Sequence, residues 1–363
     1  MKPQKKYLTY IALFLSTLIT GLILSVYSLT YHPKSQEEMK VTCKENPPSL
    51  EPNRPLKILN WNVQFLAGKK YVFFFDVPTG DGPHTRPEKE EIVKTLDEVV
   101  RVVKDVDPDL ILFQELDEDA KRTDYEDQLK LVWEKLPNYN CASSAFYWRN
   151  HFIPMTQIMG STGLKLSTLS KYKMNKAIRH ALPEIPMDLL SRQFGLKRAI
   201  LESRITLSDG TEIAAMNTHL DAFAQGYDTM EQQVVLLKNL LKQRTEEKIP
   251  WFVGGDFNLL PPGFPREEVY ETHRSYYNPQ SELSMIFQNF DSAIPLNEMM
   301  GENKAKYFTH ISNDPNVNNK ADRTIDYIFY SRDWKVKTAI VRQDDTKEIS
   351  DHFPIITELE LKK

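Results

Sequence analysis

The sequence GGDFNLLP at residues 254–261 places a carboxylate, Asp256, and a carboxamide, Asn258, shortly after the apolar run 251–253. An apolar run of this kind is typical of a buried strand, which would put both polar side chains near the strand's carboxyl end. Glycine, aspartate and asparagine are also the common residues of ordinary turns. The stretch alone therefore leaves two interpretations open, a turn or a binding site, and a binding site requires polar partners elsewhere in the chain.

Other strand-like runs also carry polar side chains at or near their ends, and helical patterns at 84–105 and 228–244 lie between some of them. The polar residues are Asn62 in run 55–63, Glu115 in 107–116, His219 in 211–222, Asp326 in 322–331, and Asp351 and His352 in 349–361. Ligands of α/β proteins gather outside the carboxyl ends of strands. The recurrence therefore predicts that these side chains meet in one site.

In this order the motifs resemble those of the endonuclease/exonuclease/phosphatase superfamily. That superfamily includes deoxyribonucleases, apurinic endonucleases, inositol polyphosphate 5-phosphatases and neutral sphingomyelinases. The matching motifs are NWNV (60–63), FQEL (113–116), NTHL (217–220), GGDFN (254–258), TIDYIF (324–329) and SDHFP (350–354). The resemblance implies an α/β fold, a four-layer α/β sandwich of two mixed sheets flanked by helices.

The resemblance also implies a metal-dependent phosphoesterase centre. Glu115 would be the main metal ligand, with Asn62 beside it and Asp351 contributing. Hard oxygen donors of this kind suit Mg²⁺ or Mn²⁺. Whether one or two ions bind is open at this stage.

The implied catalytic residues follow from the same motifs. Asp256 and Asn258 would orient the attacking water, and either Asp256 or His352 would act as the general base. Asp326 would fix the tautomer of His352 and raise its pKa. A protonated His352 acting as a positive group on the phosphate is the alternative to a basic role.

Two further side chains are candidates for contacts to the substrate. By resemblance, His219 would steady a phosphate or leaving-group oxygen, and Arg198, in LKRAIL, would contact a phosphate. The remaining histidines have no motif support and are expected to be surface or structural residues. They are His32, His84, His151, His180, His273 and His310.

Two inserts, 69–87 and 266–285, lengthen the minimal family pattern. Both are predicted to border the active-site cleft. The aromatic run 71–75 in the first insert would either touch lipid or form a buried hairpin. Neither insert matches a substrate-specific element.

The N-terminal residues predict a membrane anchor. Residues 7–29 contain no charged side chain, and as a helix they would extend roughly 35 Å, enough to cross a bilayer. A cleaved signal peptide is the alternative, but the apolar region is long and no clear A-x-A site follows it. We predict a short basic N-terminus (1–6), a transmembrane anchor (7–29), a Pro-rich linker (30–55) and a catalytic domain (56–363).

The anchor's orientation follows from its flanking charges. Lys2, Lys5 and Lys6 precede the apolar segment, and excess positive charge stays on the cytoplasmic side of a membrane. The catalytic domain is therefore predicted on the non-cytoplasmic side. Only two cysteines occur, Cys43 and Cys141, which excludes a Cys-type zinc site; whether they pair is open.

Charge guides the choice of substrate. The formal net charge is −4, and the chain beyond residue 40 is more acidic still, whereas nucleic-acid-binding domains usually show a basic footprint. We therefore predict a monomeric phosphodiesterase or phosphatase that acts on a phospholipid or small metabolite. The alternatives are an extracytoplasmic endo- or exonuclease with the same metal site, and a non-catalytic binding protein on this fold.

Overall fold

The computed structural model describes residues 3–222, 224–317 and 319–362. Lys2 of the predicted basic N-terminus and Lys363 at the predicted domain end lie outside the described residues. The strands are β1 (Gln36–Met39), β2 (Val41–Cys43), β3 (Leu56–Asn62), β4 (Leu110–Asp117), β5 (Cys141–Ile153), β6 (Gly160–Ser170), β7 (Met174–Ala181), β8 (Ala199–Thr206), β9 (Glu212–His219), β10 (Trp251–Asp256), β11 (Asp291–Ser292), β12 (Asp326–Tyr330), β13 (Trp334–Val341) and β14 (Ile355–Leu361). The α-helices are α1 (Pro3–Leu29), α2 (Lys89–Val106), α3 (Gln128–Glu134), α4 (Ser191–Phe194), α5 (Thr229–Glu246), α6 (Ser284–Phe287) and α7 (Leu296–Met300). Short 3₁₀ turns cover Gln64–Leu66, Lys121–Thr123, Arg266–Glu268, Glu271–Tyr276 and Lys304–Tyr307.

The strands form two seven-stranded sheets. Sheet A has the order β13-β14-β3-β4-β6-β5-β2, and sheet B has the order β1-β7-β8-β9-β10-β12-β11. The pairs β3–β4 and β9–β10 are parallel, and the other described neighbours are antiparallel. Helices α2 and α3 cover sheet A, and α5 covers sheet B. The predicted four-layer sandwich of two mixed sheets is confirmed.

Alternation of side chains along β3 separates two cores. Leu56 and Ile58 belong to the apolar cluster between the sheets, whereas Leu59 and Trp61 pack in the cluster beneath α2. Successive side chains of a strand point to opposite faces, and both faces of β3 are covered. This double coverage explains why PLKILNWNV is apolar at both odd and even positions.

Residues 30–55 are not the plain linker that their prolines predict. Strand β1 pairs with β7 at the edge of sheet B, and β2 pairs with β5 at the edge of sheet A. The prediction is corrected for 36–43, because sheet edges supply hydrogen-bond partners that the local sequence does not reveal. The segment therefore fastens the two sheets to each other at one end of the sandwich.

Cys43 and Cys141 form a disulfide between β2 and β5, with their Cα atoms 4.1 Å apart. The bond fixes the chain that follows α1 to sheet A. Disulfides persist mainly in oxidising compartments. The disulfide is therefore relevant to which cellular compartment contains the folded domain.

Helix α1 is the one element of the described chain that is long and apolar enough to span a membrane. The candidate span is Lys6–Leu29, of 24 residues, and none of it is buried against the rest of the protein. Its end is joined to sheet A, because Thr30 forms an isolated antiparallel bridge with Asn150 of β5. A signal sequence has the same appearance, so length and composition alone do not assign an anchor.

Candidate active site

Two glycines in GGDFN lie in close contacts at the end of β10: Gly254 faces sheet A, and Gly255 lies against the neighbouring strand β9 of its own sheet. A Cβ atom on Gly254 would lie 2.7 Å from Leu112 Cδ1 and 3.0 Å from Asn60 Oδ1, both on sheet A. A Cβ atom on Gly255 would lie 2.1 Å from the carbonyl oxygen of Thr218. A larger residue at either position would push neighbouring backbone or the facing sheet away.

Beside this contact, three buried amide side chains join the sheets. The Gln114 Nε2 group donates to Asn60 Oδ1 at 2.9 Å and to Asn217 Oδ1 at 2.7 Å. The Asn217 amide in turn donates to two backbone carbonyls of sheet A. Asn62 follows Asn60 by two residues and His219 follows Asn217 by two, so each pair lies on one strand face. The amide layer therefore lies directly beneath the polar side chains of the cleft.

Asp256 lies at the centre of those polar side chains. Its Oδ2 atom is 3.1 Å from Asn62 Nδ2, 3.3 Å from His219 Nε2 and 3.5 Å from His352 Nε2. Its Oδ1 atom accepts the backbone N–H of Asn258 at 3.0 Å, and Asn258 has a positive φ of 51°. One carboxylate oxygen of Asp256 therefore stabilises a turn and the other faces the cleft, so the turn interpretation is confirmed and the binding site stays a prediction.

His352 lies between two carboxylates. Its Nδ1 atom is 2.8 Å from Asp326 Oδ2, and its Nε2 atom faces Asp256. Burial opposes the charged ring, but Asp326 and Asp256 outweigh it and raise the pKa of His352. Burial raises the pKa of Asp256. With a carboxylate at each nitrogen, the ring fits the doubly protonated imidazolium, which has no lone pair to offer a metal.

Glu115 reaches the cleft through an irregularity in β4. The pairing of β4 with β6 shifts register between Phe113 and Leu116, and Glu115 has a φ of +64°. A bulge of this kind re-aims a side chain that strict alternation would send to the other face. The Glu115 carboxylate accepts a hydrogen bond from Asn62 Nδ2 at 3.1 Å. Burial and the charge of Asp351 raise the pKa of Glu115.

Two groups of side chains have possible ligand atoms within 4.8 Å of one another: Asp256 with Asp326 and His352, and His310 with Asp351 and His352. Both groups depend on His352, whose ring nitrogens already face carboxylates. Both groups are therefore poorer candidates for a resident cation than a group made of oxygen donors alone.

The oxygen donors around Glu115 fit a hard cation better. Asp76, from the first insert, lies in the same cleft, and burial together with the charge of Asp351 raises its pKa. The repulsion among Glu115, Asp76 and Asp351 is what a divalent ion would relieve. Asn62 adjoins them, although its Oδ1 atom accepts the N–H of Gln64.

Arg198 lies where the polar cleft meets a second cavity. Its Nε atom donates to Asp221 at 3.2 Å, and its guanidinium lies 5.0 Å from the centre of the Tyr147 ring. Its Nη1 atom is buried and has no hydrogen-bond partner in the described chain. The side chain is therefore held in place with one donor group left to bind an anion.

Residues outside the motifs also line the cleft. Arg323 lies 3.1 Å from His310 Nδ1 and 3.0 Å from His273 Nδ1, and the His310 ring is centred 5.0 Å from that of His352. His273 and His310, which were expected to be surface or structural residues, both line the cleft, and a structural role remains the prediction for them. Arg323 lies three residues before Asp326, and this short spacing was the one sequence signal that could have placed it at the site. His273 and His310 reach the cleft on loops, which gave no such signal.

Both inserts border the cleft, as predicted. The first supplies Phe75 and Asp76, and the second supplies His273, Tyr276 and Tyr277. In the aromatic run, Tyr71 and Phe73 are buried, which agrees with the buried alternative, while Phe74 and Phe75 line the larger cavity. The polar cleft has a volume of about 140 Å³ and the adjoining cavity about 530 Å³.

The sequence profile of the Endonuclease/Exonuclease/phosphatase family matches residues 59–352, and the chain belongs to this family. Its members are metal-dependent hydrolases of ester bonds, and the chain is an enzyme of this class. Among proteins with curated functions, none matches the sequence.

Solved structures with a similar fold include an endonuclease/exonuclease/phosphatase from Beutenbergia cavernae DSM 12333, with 17% identity, a TM-score of 0.59, and coverage of 85% of this chain and 72% of that one. The human Nocturnin catalytic domain with bound sulfate has 16% identity, a TM-score of 0.53, and coverage of 89% and 97%. The mannosyl-6-phosphatase Bt3783 of Bacteroides thetaiotaomicron has 20% identity, a TM-score of 0.51, and coverage of 84% and 99%. At these identities the likeness shows the fold alone.

Proposed function

We propose that the chain is a membrane-anchored, Mg²⁺-dependent phosphoesterase whose active site faces the non-cytoplasmic side. The observation that carries the catalytic part is the convergence of side chains from both sheets on one cleft. Glu115 and Asn62 come from sheet A, whereas His219 and Asp256 come from sheet B. The hard oxygen donors and the protonated imidazole complement a phosphate ester.

Glu115 and Asp351, with Asn62 beside them, would hold Mg²⁺ or Mn²⁺. When bound, the ion supplies charge neutralisation on a phosphoryl oxygen. Oxygen ligands are the preferred donors of both ions, and one or two carboxylates suffice for Mg²⁺. The excess negative charge of this part of the cleft supports the assignment.

The protein's own groups would manage the attacking water and its proton. Asp256 would accept the proton, because its raised pKa makes it a stronger base than an ordinary aspartate. Asn258, anchored by its backbone N–H to Asp256 and by its amide to the carbonyl of Leu220, would help orient the water. His352, held protonated by Asp326, would stabilise negative charge on the phosphoryl group.

Arg198 and His219 would bind the phosphate from the other side. The free Nη1 donor of Arg198 supports this role, since a buried guanidinium N–H without a partner is costly unless a ligand satisfies it. Burial and the charge of Arg198 lower the pKa of His219, so a neutral ring is favoured. A neutral imidazole can donate one hydrogen bond to a phosphate or leaving-group oxygen.

Three features support the anchor and its orientation. Helix α1 is long enough to cross a bilayer, and lysines precede its uncharged segment 7–29. The Cys43–Cys141 disulfide favours an oxidising compartment for the domain. Together they support placement of the catalytic domain outside the cytoplasm.

Removing the metal should abolish hydrolysis of phosphoesters by the purified full-length chain, and Mg²⁺ or Mn²⁺ should restore it. The substitution Glu115→Gln should lower kcat by at least about 100-fold, because one centre of negative charge at the ion is lost. The matched control is Asp119→Asn, an exposed residue four positions along the chain. Steady-state kinetics and thermal unfolding check both variants; full activity of Glu115→Gln would refute the assignment.

The substitution Asp326→Asn should lower kcat by about 100-fold or more, since it weakens the hydrogen bond that orients and charges His352. The free energy of unfolding should change by about 1 kcal/mol or less, because the shapes of the two side chains match. Asp291→Asn, an exposed position on neighbouring β11, is the control. An unfolded Asp326→Asn protein with normal activity per folded molecule would show that the pair is only structural.

Protease added outside spheroplasts of an expressing bacterium should digest the catalytic domain, because α1 is expected to leave it on the non-cytoplasmic face. Thiol alkylation without reduction should label neither Cys43 nor Cys141. A cytoplasmic protein should resist the protease in the same sample. Protection of the domain, with both thiols free, would reverse the proposed orientation.

A further inference from the structure

An apolar cavity of about 530 Å³ opens beside the polar cleft. Its apolar walls come mainly from the first insert, from the end of β5 with the β5–β6 connection, and from the β7–β8 connection. The apolar lining includes Phe74, Phe75, Trp148, Ile153, Ile158 and Phe194. Cavities of this volume typically bury most of the surface of a small ligand that binds in them. The lining favours a hydrocarbon group over a sugar.

The apolar cavity is continuous with the proposed catalytic residues. Glu115, Arg198 and His219 line both it and the polar cleft. A phosphate bound by Arg198 and His219 would therefore stand at the junction of the two spaces. Any apolar group esterified to that phosphate could extend into the apolar cavity without leaving the catalytic centre.

The loops that form the cavity also expose large apolar side chains to solvent. Leu189 is 84% exposed, Leu190 60% and Met155 41%. Clusters of exposed apolar residues commonly mark contacts with membranes or partners. These residues belong to the same two connections that wall the cavity.

The end of the candidate membrane helix is joined to the same part of the fold. Thr30 bridges to Asn150, three residues before Ile153 in the cavity wall. The Asn150 amide also lies 3.4 Å from the carbonyl oxygen of Phe194, another wall residue. A spanning α1 would therefore hold this side of the domain near the bilayer surface.

We propose that the apolar cavity binds the alkyl or acyl chain of a phosphoester lipid while the phosphate occupies the polar cleft. This inference rests on the proposed phosphoesterase function and specifies its substrate class. In the reaction, the oxygen of water bonds to phosphorus, the P–O ester bond breaks, and the leaving oxygen takes up the proton that the water loses. The cavity contributes binding energy from apolar contact.

The test compares two homologous series, the butyl, hexyl and octyl phosphates and the corresponding alkylphosphocholines, all below their critical micelle concentrations. Thymidine 5′-monophosphate and the dinucleotide TpT are the nucleic-acid comparators. The enzyme is the full-length chain in nanodiscs with Mg²⁺, and ³¹P NMR detects the products. A nanodisc lipid that competed for the site would lower every rate alike and leave the ratios of kcat/KM unchanged.

Burial of each methylene is expected to favour binding by about fourfold. The octyl chain has four more methylenes than the butyl chain, so burial of only two of them should already raise kcat/KM by at least about tenfold. Both nucleotides should be poorer substrates than the octyl compound. Met187→Asp and Met155→Asp place charges at the cavity from two different loops, and each should reduce the octyl-to-butyl ratio towards one. Ile340→Asp, at a 53% exposed position on β13, is the matched control and should keep the wild-type ratio.

The outcomes separate this inference from the proposed function. Hydrolysis of all chain lengths at equal kcat/KM, or a preference for the nucleotides, would overturn the lipid-chain site and leave phosphoester hydrolysis standing. A wild-type ratio retained in both methionine variants, with thermal unfolding showing that they are folded, would also overturn it. Hydrolysis of no phosphoester by the metal-loaded chain would overturn the proposed function and this inference together.

Discussion

The close contact of the two sheets at Gly254 is the constraint on which the cleft depends. With no side chain at this position, the amides of Asn60, Gln114 and Asn217 can bond across the gap. These hydrogen bonds are buried, and a buried amide left without partners is costly, so the spacing of the sheets is tightly fixed. The side chains two residues further along β3 and β9 inherit that spacing, which lets Asn62 and His219 reach Asp256.

The cleft contains more charge than its own ion pairs offset. Burial raises the pKa of Glu115 and of Asp256. Asp326, which lies beside Nδ1 of His352, raises the pKa of that ring and favours its positive charge. The cationic part of the cleft therefore lies near His352 and Arg323. The carboxylates of Glu115, Asp76 and Asp351 lie together elsewhere in the cleft, and Arg122 and Lys69 offset part of their charge. This separation fits a substrate whose anionic group binds between a histidine and a metal ion. It also gives the apolar cavity a charged end and an uncharged end.

The sequence predicts much of the fold because its signals are local. The apolar runs with polar ends yield motifs whose order resembles that of a known family, and the two-sheet sandwich that this resemblance implies is confirmed by the structure. The polar residues chosen from the motifs also meet in one cleft, although their chemical roles stay predictions. The direction of the Glu115 side chain could not be predicted from the alternation of side chains along β4. The β-bulge that turns it towards the cleft depends on the pairing of β4 with β6.

Other features depended on contacts distant in sequence. Residues 36–43 look like a linker because strand pairing at a sheet edge leaves little local signal in such short segments. His273 and His310 have no motif because loops, and the hydrogen bonds of Arg323, bring them to the cleft. The apolar cavity is assembled from segments that are far apart in the chain, so no single stretch reveals it.

The most direct test of the account is to locate the metal ion itself. Crystals of the metal-free protein soaked in Mn²⁺ would show the ion by anomalous X-ray scattering. The account predicts a peak beside Glu115 and Asp351 that disappears in Glu115→Gln crystals. A peak bound by Asp256, Asp326 and His352, with none beside Glu115, would contradict it.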